Sequence, residues 1–142
     1  MPQPPNLEHL MSVSITLRPK SPVIPNGPQG TRVVAIVTGG TFEGPKLRGT
    51  VDDSGGDWVT LRADGSIKLD VRALLHTHDG AEIFMHYEGI GLRQEDGSLK
   101  LATAPLFETG DERYAWLNHV QAVSTGASSG GVVTYEVFAV RP

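Results

Sequence analysis

Three Asp-Gly pairs, Asp64-Gly65, Asp79-Gly80 and Asp96-Gly97, each stand between two short apolar runs. Asp-Gly is among the strongest hairpin signals, because both central residues of the favoured two-residue turn need positive φ. Further turn signals fall at Gly39-Gly40, Gly44-Pro45, Ser54-Gly55-Gly56 and Ser128-Ser129-Gly130-Gly131. With 17 glycines and 10 prolines in 142 residues, the chain is cut into short pieces. The pieces near 13–17, 32–38, 46–51, 57–62, 66–77, 81–90, 98–104, 114–124 and 132–140 read as strands. In the first, Val13, Ile15 and Leu17 share one side, the period-two mark of a half-buried strand. One helical turn is allowed at Thr109-Gly110-Asp111-Glu112, which has capping-box spacing. Eight or nine strands at hairpin spacing, with little helix, predict an all-β fold: a single antiparallel barrel or sandwich. Residues 1–12, with Pro2, Pro4 and Pro5, are expected to be a flexible tail, and 13–142 a single domain.

Composition narrows the chemistry. There is no cysteine, which excludes disulfides, thiolate nucleophiles and cysteine-ligated metals. A net charge of −4 with no basic run argues against nucleic acid as a partner. No apolar run approaches the roughly 20 residues of a membrane helix, and MPQPPNLEHLM does not read as a secretory signal, so no membrane partner and a cytoplasmic location are expected. There is no G-x-S-x-G, P-loop or H-E-x-x-H sequence, and no cofactor is expected. The glycine-rich stretch Thr38–Gly44 has no helix pattern after it and reads as a bulge or a sharp barrel corner.

The Asp79-Gly80 turn fixes which residues share a face. A two-residue turn pairs His78 with Ala81, Leu74 with Met85, Arg72 with Tyr87 and Asp70 with Gly89. One face then carries Asp70, Arg72, Leu74 and His76 with Ile83, Met85 and Tyr87. The other carries Val71, Ala73, Leu75 and Thr77 with Glu82, Phe84, His86 and Glu88. If the first face looks inward, a carboxylate, a guanidinium and a phenol meet over Leu74, Ile83 and Met85. Such a cluster needs mutual pairing, since an unpaired buried charge costs several kcal/mol, and it makes a site. In the reverse reading Val71, Ala73, Leu75 and Phe84 form the core, and Asp70 and Arg72 are a surface pair.

Further candidates lie elsewhere. Tyr114, Trp116, Asn118 and Val120 share one side if their run is a strand, offering Trp116 and Asn118 as substrate contacts. Tyr135 alternates with Val133, Val137 and Ala139 and is expected to point inward. Asp57 and Trp58 point to opposite faces, and either could sit at a barrel mouth, although an exposed strand start is the commoner case. His76 and His78 have metal-ligand spacing, but no third ligand is fixed, and no metal site is assigned.

The stretches GGTFEGPKLRGTV (39–51), GGDWVTLRADGSIKLDVRALL (55–75), HDG (78–80) and FETGDERYAWLN (107–118) together resemble the bacterial and fungal family called domain-of-unknown-function 3237, over about residues 13–140. That resemblance implies a calycin-like antiparallel β-barrel. It also implies that the glycine-rich opening, Asp57-Trp58, the Asp70-x-Arg72 pair and Trp116-x-Asn118 belong to the family pattern.

A barrel of this size holds side chains or one small ligand. The expected function is a cofactor-independent acid–base enzyme, of isomerase, cyclase or lyase type, acting on a small aromatic or polyketide-like molecule. In that reading Asp70, Arg72 and Tyr87 are catalytic, and Leu74, Met85, Trp116, Asn118 and Tyr135 bind substrate. The alternatives are a non-catalytic small-molecule carrier, or a structural module that oligomerises through its outer face. A homodimer that pairs an exposed strand edge is the expected assembly if the barrel is left open.

Overall fold

The computed structural model describes Met1–Pro142. Eleven strands follow in order: β1 (Asn6–Leu17), β2 (Val23–Gly27), β3 (Gly30–Glu43), β4 (Arg48–Val51), β5 (Gly56–Leu61), β6 (Ile67–Thr77), β7 (Glu82–Arg93), β8 (Leu99–Thr103), β9 (Leu106–Glu108), β10 (Ala122–Ser129) and β11 (Val132–Arg141). One 3₁₀ helix, Glu112–His119, joins β9 to β10. Every strand pair is antiparallel. Passing from β6 through β5, β3, β1, β11, β10, β8 and β7 leads back to β6, so eight strands close a ring. Closure leaves no ladder edge in that ring. The other three are accessory: β4 bridges β3 and β6 below β5, β9 extends β7, and β2 extends β3.

Alternation sorts each strand. On β6, Ile67, Leu69, Val71, Ala73 and Leu75 point inward and are buried, and on β7 so do Ile83, Met85 and Tyr87. They belong to one cluster with Met11, Val13 and Ile15 of β1, Val37 of β3 and Tyr135 and Val137 of β11. Burying these side chains is the main stabilising term, at roughly 25 cal/mol per Å² of apolar surface.

The β6–β7 hairpin corrects the expected register. Its loop has three residues, not two. The Thr77 N–H donates to the Ala81 carbonyl at 2.9 Å, and Gly80 takes φ +92°. This is a type I turn followed by a left-handed residue, the second commonest hairpin connection. Thr77 favours it, because its hydroxyl accepts from the Ala81 N–H at 2.8 Å and donates to Asp79 at 2.6 Å. One extra loop residue slides the register by one and moves every side chain of one strand to the opposite face relative to its partner. Val71 therefore faces Tyr87, and Arg72 faces His86.

Three other expectations change. Residues 6–12 are not a tail; they begin β1, with Leu10 and Met11 buried, since β11 pairs with them from Asn6 onward. Residues 114–119 are not strand. Asp111 caps the 3₁₀ helix by accepting from the Arg113 N–H, and its three-residue period buries Tyr114 and Leu117 together. The strand total is eleven, because β2 and β9 lie outside the nine expected runs. The glycine-rich stretch is the expected bulge: pairing with β1 jumps from Thr16–Gly39 to Leu17–Val37. Gly40 sits there with φ +152°, where a Cβ would lie 2.0 Å from the Ser14 carbonyl.

The barrel has two unlike ends. The β6–β7 turn, β9 and the 3₁₀ helix gather at one, where Tyr114, Leu117, Leu10, Met11 and Phe107 fill the interior. The Tyr114 hydroxyl and Arg113 both bond to Asp79 of that turn, which seals the end. The ends of β1, β5, β7 and β10 meet at the other.

Candidate active site

At the open end a cavity of about 260 Å³ enters the barrel. Its walls are almost wholly apolar, with Val33, Val59, Leu69 and Leu101 among them, and its polar exceptions are Asp57, Tyr135, Ser128 and Arg93. Asp57 is placed by the pleat of β5: it alternates inward with Val59 and Leu61, while Trp58 and Thr60 point to the outer wall. Tyr135 is placed by β11, opposite Gly126 of β10. A Cβ at Gly126 would lie 2.5 Å from the Tyr135 ring, so the glycine makes the space that the ring occupies. Behind Tyr135, the fully buried Tyr87 packs edge-on at 5.2 Å between centroids.

The electrostatics follow from this dry setting. Burial pushes the Asp57 carboxyl up to about 6, helped by the nearby Asp70 charge and opposed by the Asp70 backbone N–H, which donates to Asp57 Oδ1 at 2.9 Å. Burial also holds both phenols well above their usual range, and the Asp57 charge raises both further. The cavity thus contains an acid poised near neutrality and the protonated hydroxyl of Tyr135, with the protonated Tyr87 packed behind it. That is the composition of a proton-transfer site.

The residues expected to form the site are dispersed. Asp70 and Arg72 lie on the outer wall, with side chains 29% and 46% exposed and 3.4 Å between Oδ1 and the nearer guanidinium nitrogen. This is a correction, and its cause is the one-residue register shift. Asp70 also accepts from His86 at 3.1 Å, and Arg72 lies over the Trp58 ring at 5.6 Å. Leu74 is on the same outer face, half-buried. Tyr87 and Met85 do face inward, so the expected trio of Asp70, Arg72 and Tyr87 does not converge. Trp116 and Asn118 sit on the 3₁₀ helix at the sealed end, away from the cavity. Asn118 closes the turn before that helix, accepting from the Thr109 N–H at 2.8 Å and donating to the Thr109 carbonyl at 2.9 Å. Lys46 lies over the Trp116 ring at 5.6 Å. Of the expected substrate contacts, only Tyr135 lines the cavity. Asp57 is the residue that sequence reasoning undervalued. Its signal is a single acid on the otherwise apolar side of a strand, Asp57-x-Val59-x-Leu61.

A larger open groove of about 590 Å³ runs along polar residues beside His76 and His78. There His76 is held by Asp52 at 2.8 Å and approached by Glu82 at 3.7 Å. Only Val13, Phe42 and Tyr135 give the groove apolar surface, and it holds no buried acid, so the lumen is the stronger site.

Known proteins resemble this chain over most of its length. A hydroalkoxylation enzyme, phnH, of Penicillium herquei is 36% identical over 125 residues, covering 87% of this chain and 76% of that protein. The crystal structure of a β-barrel-like protein from Acinetobacter baumannii superposes with a TM-score of 0.91 at 28% identity, covering 99% of both chains. That of an enzyme from Penicillium herquei superposes with a TM-score of 0.73 at 30% identity, over 99% of this chain and 98% of the other. The match to the family described as proteins of unknown function, DUF3237, runs through residues 5–140, and the chain belongs to that family.

Proposed function

We propose that the chain is a cofactor-independent acid–base enzyme that adds a hydroxyl across a carbon–carbon double bond within one small molecule, closing an ether ring. The observation that carries this is Asp57, a carboxyl brought to about 6 in an apolar cavity. The likeness to a hydroalkoxylation enzyme supports the reaction class.

The chemistry needs no redox partner. Asp57, in its protonated form, gives its proton to one alkene carbon. The substrate hydroxyl bonds to the adjacent, now cationic carbon, and the resulting oxonium proton returns to the Asp57 carboxylate. The product is an isomer of the substrate. Three features of the cavity serve this. Its apolar walls keep water from capturing the cation. Tyr135 can hold the substrate oxygen as a hydrogen-bond donor, because its phenol does not ionise near neutrality. The Asp70 N–H aims the Asp57 carboxyl.

The test uses 2-prenylphenol as the probe, with the cyclic ether followed by chromatography and NMR. The native chain should form the ether above the buffer rate. Asp57→Asn should lower that rate at least about a hundredfold, the low end of general-acid contributions, with affinity for the probe changed less than about tenfold. Native chain that binds the probe in the lumen without turnover would overturn the catalytic reading in favour of a carrier.

A further inference from the structure

Arg93 stands out once the lumen is seen as a whole. It ends β7, six residues beyond Tyr87 on the same inward face, and lines the cavity mouth. Between them, the inward positions are Gly89 and Gly91, where Thr103 and Leu101 of β8 occupy the space a side chain would take. Arg93 forms none of the ion pairs or side-chain hydrogen bonds found elsewhere in the chain. Glu95 and Asp96, the acids of the adjoining turn, do not come within ion-pair distance of it. Asp57 is the other charged group of the cavity, and Arg93 is not among the causes that set its proton affinity. Asp57 stands level with Val71 and, across β6, with Tyr87, so the two charges lie at different heights of the lumen. The cavity therefore has an acid at depth, apolar walls and a free cation at its entrance.

We propose that Arg93 selects the substrate: it receives an anionic oxygen, carboxylate or ionised phenol, at one end of a molecule whose apolar body fills the lumen toward Asp57. A guanidinium suits this role, since it offers paired donors to a planar anion and stays charged at any working pH. The volume, about 260 Å³, limits the body to two or three fused rings. This rests on the lumen being the site, and deepens that reading by naming the class of molecule it admits.

The experiment compares matched probes: 2-naphthoate against 2-naphthamide for a carboxylate, and 4-nitrophenolate against 4-nitroanisole at pH 8 for a phenolate. Affinities are measured by calorimetry, and placement by NMR perturbation of Leu69, Leu101 and Tyr135. Each anion should bind at least about tenfold tighter than its neutral partner. Arg93→Met should erase that preference and leave neutral-probe affinity within twofold, while Arg93→Lys keeps part of it. A preference in one pair alone identifies which anion is read. An anion preference unchanged in Arg93→Met, or absent in the native chain, overturns the inference and leaves the Asp57 reading intact. Probes that perturb no lumen residue overturn both.

Discussion

At the residue scale the molecule turns on one carboxyl. The folded state holds Asp57 at about 6, against an ordinary 3.8. Between those values the folded state binds more protons than the unfolded chain, so stability falls as pH rises through that window. The full cost, reached above pH 6, is at most about 3 kcal/mol. Asp57→Asn removes it. The variant's stability gain over the native chain should grow by up to that amount between pH 4 and pH 7.5 in urea titrations, and a gain that does not vary with pH would show that the carboxyl is not desolvated. Activity should follow the protonated form and decline above about pH 6. The outer pair behaves differently. Arg72→Leu removes an exposed contact at 3.4 Å, so unfolding free energy should change by less than about 1 kcal/mol and 2-prenylphenol turnover by less than about threefold.

At the element scale one loop residue decides which chemistry faces inward. Strand positions, turn sites and the bulge at Gly39-Gly40 were legible in the sequence, because alternation and Gly or Asp-Gly signals are local. The facing of β6 against β7 was not. Asp79-Gly80 serves a two-residue loop as well as a three-residue one, and the choice is made by Thr77 and Asp79 side chains bonding to the turn and to the 3₁₀ helix. Asp57 was visible as an acid on an apolar stripe, but only the closed ring shows that the stripe lines a cavity. Tyr114–His119 misled because an aromatic run suits a strand while the Asp111 cap and the Asn118 bridge draw it into a helix. Asn118→Ala should cost about 1–3 kcal/mol, since it leaves the Thr109 backbone groups unpaired. A thermal melt reads the loss, and neutral-probe affinity in the lumen should not move with it.

At the scale of the whole molecule, the eight-strand ring is a rigid wall around a small apolar space. A ligand that enters only the folded barrel stabilises it by mass action, about 2.7 kcal/mol at a hundredfold excess over Kd. 2-Naphthamide should therefore raise the melting temperature, and Leu101→Trp, which fills the space with its own side chain, should abolish that rise. The asymmetry of the ends carries a further consequence. Phe107, Leu117 and their neighbours stop one end of the tube, so traffic has a single doorway. A finished molecule has to back out before its successor goes in. Accumulated ether should hence slow the reaction by competing directly with starting material, and no concentration of either will let both ride the barrel at once.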